Sequence, residues 1–181
     1  MTWGGGERVL NKLNILLFSS GTLLGAYRIG DILPHDHDAD ISFLLSSDTS
    51  EAFREMAKFG IKAAGIKARF KNVTVDFVPW KAENRATHGR TEVILHKAYP
   101  SYVLEKDNIV TRYHHRLQHF PQSWVVPSGR VKFHGVNVSI PNSPKRLLAH
   151  RYPITFGTLQ LQFPYKWKCW VPCSLRKSKG C

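Results

Sequence analysis

The chain has 181 residues, 43% apolar and 12% aromatic, which suits one folded domain with a buried core and excludes a wholly disordered polymer. No apolar run approaches the roughly 20 residues that span a bilayer, and Met1 to Gly6 is polar and Gly-rich, so neither a membrane helix nor a secretory leader is expected in these residues. The formal net charge of +13 is uneven: residues 1–107 carry 14 Lys and Arg against 13 acids, and residues 108–181 carry 12 Lys and Arg and no acid. The excess alone therefore does not argue for nucleic acid. It describes a near-neutral first part joined to a basic second part, whose plain reading is a solvated surface and whose sharper reading is an anionic partner.

Helical character over Arg8 to Asn14 leads into Ile15 to Phe18, a short buried strand. Ser19 to Thr22 reads as a turn, and Leu23 to Arg28 as a helix opening from it. Asp31 to Asp38 is a polar loop, and Ala39 to Leu45 a second strand. The cap candidates of Ser46 to Ser50 predict a helix running to about Ala64, with Gly65 as its stop. Ala68 to Phe70 and the β-branched Val73 to Val78 read as strands, the second ended by Pro79. Thr91 to His96 and Tyr102 to Leu104 fit strands or helix starts. Trp124 to Val126, Val131 to Phe133 and Val136 to Ile140 read as strands, with His134-Gly135 turning one into the next. Ser143-Pro144 opens a helix to about His150.

Three pieces carry chemistry. A Gly turn follows the first strand (Phe18 to Thr22). Carboxylates then alternate in Asp36-His37-Asp38-Ala39-Asp40-Ile41, and Asp76 stands alone inside the apolar strand Val73 to Val78. Residues two apart on a strand share a face, so Asp38 and Asp40 converge and repel unless a cation lies between them. Mg²⁺ takes few protein carboxylates and keeps positions for phosphate oxygens and water. An Asp among Val and Phe is poorly placed unless it meets a cation or lines a site. Free N–H groups of the helix opening at Gly21-Thr22 suit a phosphate, and Arg28 is a candidate for the same anion. Each piece alone is weak; their order on these elements makes the signal.

This pattern resembles the nucleotidyltransferase superfamily. More narrowly, Ser20-Gly21-Thr22-Leu23-Leu24-Gly25-Ala26-Tyr27-Arg28, followed by Ile32-Leu33-Pro34-His35-Asp36-His37-Asp38-Ala39-Asp40-Ile41, is similar to the LicD-type phosphotransferase family, which includes bacterial phosphocholine transferases and the animal fukutin and fukutin-related proteins. The likeness extends more loosely through Asp76 to about Tyr152-Pro153. It implies an α+β fold, a nucleotidyltransferase-like mixed sheet with helices on one side, over residues 8–153. A basic tail containing Cys169, Cys173, Cys181, Trp167 and Trp170 would occupy residues 154–181.

The resemblance also implies an enzyme, a metal-dependent transferase. It would move a phospho-alditol or phosphocholine group from a CDP-activated donor to a sugar hydroxyl on a glycan or glycoprotein. Asp38 and Asp40 resemble the Mg²⁺ or Mn²⁺ ligands, Asp76 the third acid as ligand or base, and Asp36 an additional acid. Gly21, Thr22 and Arg28 resemble the donor-phosphate contacts. A Golgi or endoplasmic-reticulum lumen follows by the same resemblance, and the sequons Asn72-Val73-Thr74 and Asn137-Val138-Ser139 agree weakly with it. The competing readings are a nucleotidyltransferase releasing pyrophosphate, an inactive relative, and a basic binding module with no catalytic role. No nucleic-acid partner is expected. The three cysteines match no common zinc spacing. His114, His115 and His119 read better as a solvated segment than as a metal cluster, and Trp80 and Trp124 better as core or site wall than as base-stacking platforms.

Overall fold

A computed structural model of the chain describes residues 17–34, 36–44, 54, 57–58, 60, 62–64, 67–71, 73–87, 89–98, 109–153 and 156–157. The helix expected over Arg8 to Asn14, Tyr102 to Leu104, the three cysteines and nearly all of the expected tail lie outside them.

The architecture is α+β, built on a mixed sheet. Its strands are β1 (Leu17–Phe18), β2 (Asp38–Leu44), β3 (Lys62–Ala64), β4 (Lys67–Phe70), β5 (Val73–Thr87), β6 (Arg90–Lys97) and β7 (His119–Pro121). The order is β1-β2-β5-β4-β3, with β6 joining β5 and β7 joining β6. β2 and β5 run parallel, and the other pairings in this sheet are antiparallel. A separate hairpin joins β8 (Gly129–Phe133) to β9 (Val136–Ile140). The helices are α1 (Ser20–Ile29), α2 (Ile109–Arg116) and α3 (Pro144–Arg151).

One apolar cluster ties α1 and α3 to the sheet. Leu23 and Leu24 from α1 and Leu147 and Leu148 from α3 pack with Val78 and Trp80 of β5, Leu95 of β6 and Phe120 of β7. Trp80 is fully enclosed and meets Phe120 edge-on at 5.1 Å, and Trp124 packs against the same cluster, so both tryptophans serve the core. His134 and Gly135 have φ of 48° and 81° and turn β8 into β9, the left-handed pair that matches strand twist in a tight hairpin. The hairpin is tied back by Phe133 against Phe18 and by His134 Nε2, 2.8 Å from Asp31 Oδ1.

Several expected boundaries are corrected. α1 begins at Ser20 rather than Leu23, so the expected turn is already the first helical turn. The helix expected to reach Ala64 cannot do so, because Lys62–Ala64 pair with β4; Gly60, with φ of 75° and its N–H on the Ala57 carbonyl, turns the chain before them. β5 does not stop at Pro79 but continues to Thr87. The Pro79 carbonyl accepts the Ala98 N–H, so its nitrogen points to the same side, where β4 pairing ends at Asp76 and β6 pairing begins at Trp80. A missing N–H at that changeover breaks no ladder bond. The strand expected over Trp124 to Val126 is instead a 3₁₀ turn, Gln122–Trp124, with the Val125 and Val126 N–H groups on the Gln122 carbonyl. β7 and α2 complete the parts that periodicity did not reveal.

Candidate active site

The acids sit where the core face of the sheet runs out. Along β2, Asp38, Asp40, Ser42 and Leu44 share one face by strand alternation; along β5, Asp76, Val78 and Trp80 share one. Register pairs Asp40 with Asp76, Ser42 with Val78 and Leu44 with Trp80, so the two sets lie on the same face. That face is apolar under the helices and acidic at the starts of the strands.

α1 leaves β1 through Ser19 and places its first turn against Asp40. The Ser19 N–H donates to the Asp40 carbonyl at 3.1 Å, and the Asp40 N–H donates to Thr22 Oγ1 at 2.8 Å. The Gly21 N–H donates to Asp40 Oδ2 at 3.3 Å. The free N–H end of the helix thus already holds one carboxylate. Ser20 adopts φ of 49°, a left-handed conformation unusual for a residue with a Cβ.

Electrostatics single out Asp40. Its carboxyl is pushed up to about 6, first by burial and next by the neighbouring charge of Asp38, while Arg151 pulls it down and Asp36 adds to the rise. Asp76 is occupied differently. Lys67, its register partner on β4, places Nζ 3.0 Å from Oδ1 and 3.2 Å from Oδ2, and its own pKa is raised by that contact. Asp36 lies on the approach to β2, its N–H on the Leu33 carbonyl.

The sequence-predicted residues therefore divide. Asp36, Asp38, Asp40, Asp76, Gly21 and Thr22 are gathered around the start of β2. Arg28 is not: it lies in the last turn of α1, about 10 Å along the axis from Gly21 at 1.5 Å per residue. There its guanidinium donates to the Phe156 carbonyl and lies 5.6 Å from that ring's centre. Among the described residues no three His, Cys, Asp or Glu side chains close into a cluster ready for a metal ion. The donor set still suits a hard divalent cation, since two carboxylates and substrate oxygens suffice for Mg²⁺.

Two residues that touch the first turn of α1 escaped the sequence reading. Arg151, at the end of α3, is 7% exposed and donates through Nη2 to Ser20 Oγ at 3.2 Å and to Gln118 Oε1 at 2.6 Å. Tyr152 is buried beside it, its hydroxyl bonded to the Ser20 side chain and its pKa raised chiefly by burial. The closing Arg-Tyr-Pro carries no spacing that ties it to Ser20. His115 and His119 form no such group: His119 Nδ1 bonds the His115 carbonyl at 2.7 Å, and its ring stacks on His96 at 5.2 Å.

Residues 16–143 match the family model described as LicD/FKTN/FKRP, nucleotidyltransferase domain, and the chain belongs to this family. The family is of phosphotransferase type. No curated protein matches the chain. No helix among the described residues is long and apolar enough to cross a membrane.

Proposed function

We propose that this chain transfers a phospho-alditol or phosphocholine group from a CDP-activated donor to a sugar hydroxyl on a glycan. The observation carrying it is the pairing of Asp40 with Asp76, with Asp38 on the same face, at the N-terminus of α1. Asp38 and Asp40 would hold Mg²⁺ or Mn²⁺, with Asp76 completing the set once it leaves Lys67. The cation, when bound, supplies charge neutralisation at the phosphoryl oxygens and the leaving nucleotide.

The protein's own groups do the rest. N–H groups of the first turn of α1 orient phosphate oxygens. The acceptor hydroxyl oxygen forms the new bond to phosphorus, the bond from phosphorus to the nucleotide oxygen breaks, and cytidine monophosphate leaves. The acceptor proton passes to a carboxylate at the site's edge, Asp36 or Asp76. A Golgi or endoplasmic-reticulum lumen is the setting we assign, and the exposed Asn137 of the second sequon agrees with it.

Binding of CDP with Mn²⁺, followed by calorimetry, should be lost in Asp38→Ala/Asp40→Ala. Equal binding by the folded double variant overturns the reading. Product analysis with a CDP-alditol donor should find cytidine monophosphate; pyrophosphate released from a nucleoside triphosphate would make the chain a nucleotidyltransferase instead.

A further inference from the structure

Arg151 is a cation in the wrong company. It is 7% exposed, yet its hydrogen bonds go to two neutral oxygens, those of Ser20 and Gln118, both through Nη2. Its Nε and Nη1 are buried with no hydrogen-bond partner. A buried guanidinium with two nitrogens unmet, and with no carboxylate in direct contact among the described residues, is costly unless an anion completes it. The bond to Ser20 puts this guanidinium at the first residue of the ten-residue α1, whose opening N–H groups also favour an anion. Asp40 feels the charge of Arg151 but makes no direct contact with Nε or Nη1, its carboxylate taking the Gly21 N–H instead.

We propose that Arg151 is the phosphate-binding cation of this site, receiving a phosphate oxygen of the nucleotide-activated donor through Nε or Nη1 beside the first turn of α1. The identity of the ligand rests on the proposed function; the anion site rests on Arg151 alone. Nε and Nη1 lie on opposite sides of the planar guanidinium, so each offers a separate charge-assisted N–H to a phosphate oxygen while Nη2 is held. Gln118 and Ser20 hold the third nitrogen and fix the plane. This would place the donor's charge near Asp38 and Asp40, the carboxylates that would hold the cation. Arg28, engaged by Phe156 at the far end of the helix, is not needed for it.

The test is inorganic pyrophosphate without metal, titrated against the full chain by calorimetry. Wild type and Arg130→Gln, which alters an exposed arginine on β8, should bind alike. Arg151→Gln should bind about 10- to 100-fold more weakly, the effect of a lost charge-assisted contact, and Arg151→Lys should recover part of that. A folded Arg151→Gln that binds pyrophosphate as wild type does overturns the proposal, as does a wild type that binds none. If Arg151→Gln does not fold, a wild-type crystal grown with pyrophosphate decides. An oxygen at hydrogen-bond distance from Nε or Nη1 supports the proposal, and those nitrogens left untouched overturn it. Pyrophosphate binding that depends on Arg151, with no gain from the cytidine of CDP, would keep this site and defeat the donor assigned above. Binding of CDP with Mn²⁺ that needs Asp38 and Asp40 but ignores Arg151→Gln would do the reverse.

Discussion

Asp40 and Asp76 are register partners across the parallel β2–β5 pair, so two carboxylates distant in sequence stand side by side on one face of the sheet. Each has met a different neutralising partner: Asp40 the Gly21 N–H, Asp76 the Lys67 ammonium.

Asp40 should make the metal-free protein less stable as pH rises. Its folded pKa of about 6 lies above the ordinary aspartate value of 3.8, so the folded state holds its proton over that interval while the unfolded state releases it. Stability is highest below about pH 4, falls towards pH 6, and is level above, as far as this group decides it. Asp40→Asn keeps an acceptor for Gly21 and should exceed wild type at pH 7 by at most ~3 kcal/mol, and match it near pH 3.5. Thermal melts across this range read the difference. A variant less stable than metal-free wild type at pH 7 contradicts it.

Thr22→Val should lower stability by ~1–3 kcal/mol, because the isosteric change removes the acceptor of the Asp40 N–H and leaves that amide unmet. Urea unfolding measures it. A loss within a few tenths of a kcal/mol would mean the amide finds water.

Gly25→Ala tests the close approach of α1 to the Asp31–Leu33 segment. A Cβ there would lie 2.4 Å from the Asp31 carbonyl oxygen and 3.1 Å from the Leu33 nitrogen, both backbone atoms. The loop must move, at a cost of ~1–3 kcal/mol, and with it the lead into Asp36 and Asp38. Lower thermal stability and weaker Mn²⁺ binding should appear together.

Lys67→Met should strengthen Mn²⁺ binding, because the ammonium competes for Asp76. The gain should be no more than about fivefold, since exposed ion pairs contribute ~1 kcal/mol or less. Calorimetry at low and moderate salt is the check: the advantage should shrink as salt screens the pair in wild type. Weaker metal binding by the variant would show that Lys67 supports the site.

Some of this was legible from residue order. The alternation of Asp38 and Asp40 on a strand fixes their shared face, and the Gly21 turn opening a helix fixes where its N–H groups point. Asp76 was identified as out of place among apolar neighbours, but its alignment with Asp40 depends on register, which no single strand encodes. Pro79 misled because a proline's effect depends on which edge its nitrogen faces. Arg28 drew attention by its nearness in sequence to Gly21, whereas helix geometry carries it away. Arg151 went unnoticed for the opposite reason, since its meeting with Ser20 is made by the packing of α3 on α1 through Leu147, Leu148, Leu23 and Leu24.

That meeting has a consequence for biosynthesis. Every acid of the site precedes Phe77, but the guanidinium that touches Ser20 belongs to Arg151. A nascent chain paused on the ribosome before α3 emerges carries the carboxylates without this counter-charge. The first turn of α1 stays unsealed until the last described helix docks, so the acidic end of the sheet is among the latest parts to reach its final electrostatic balance.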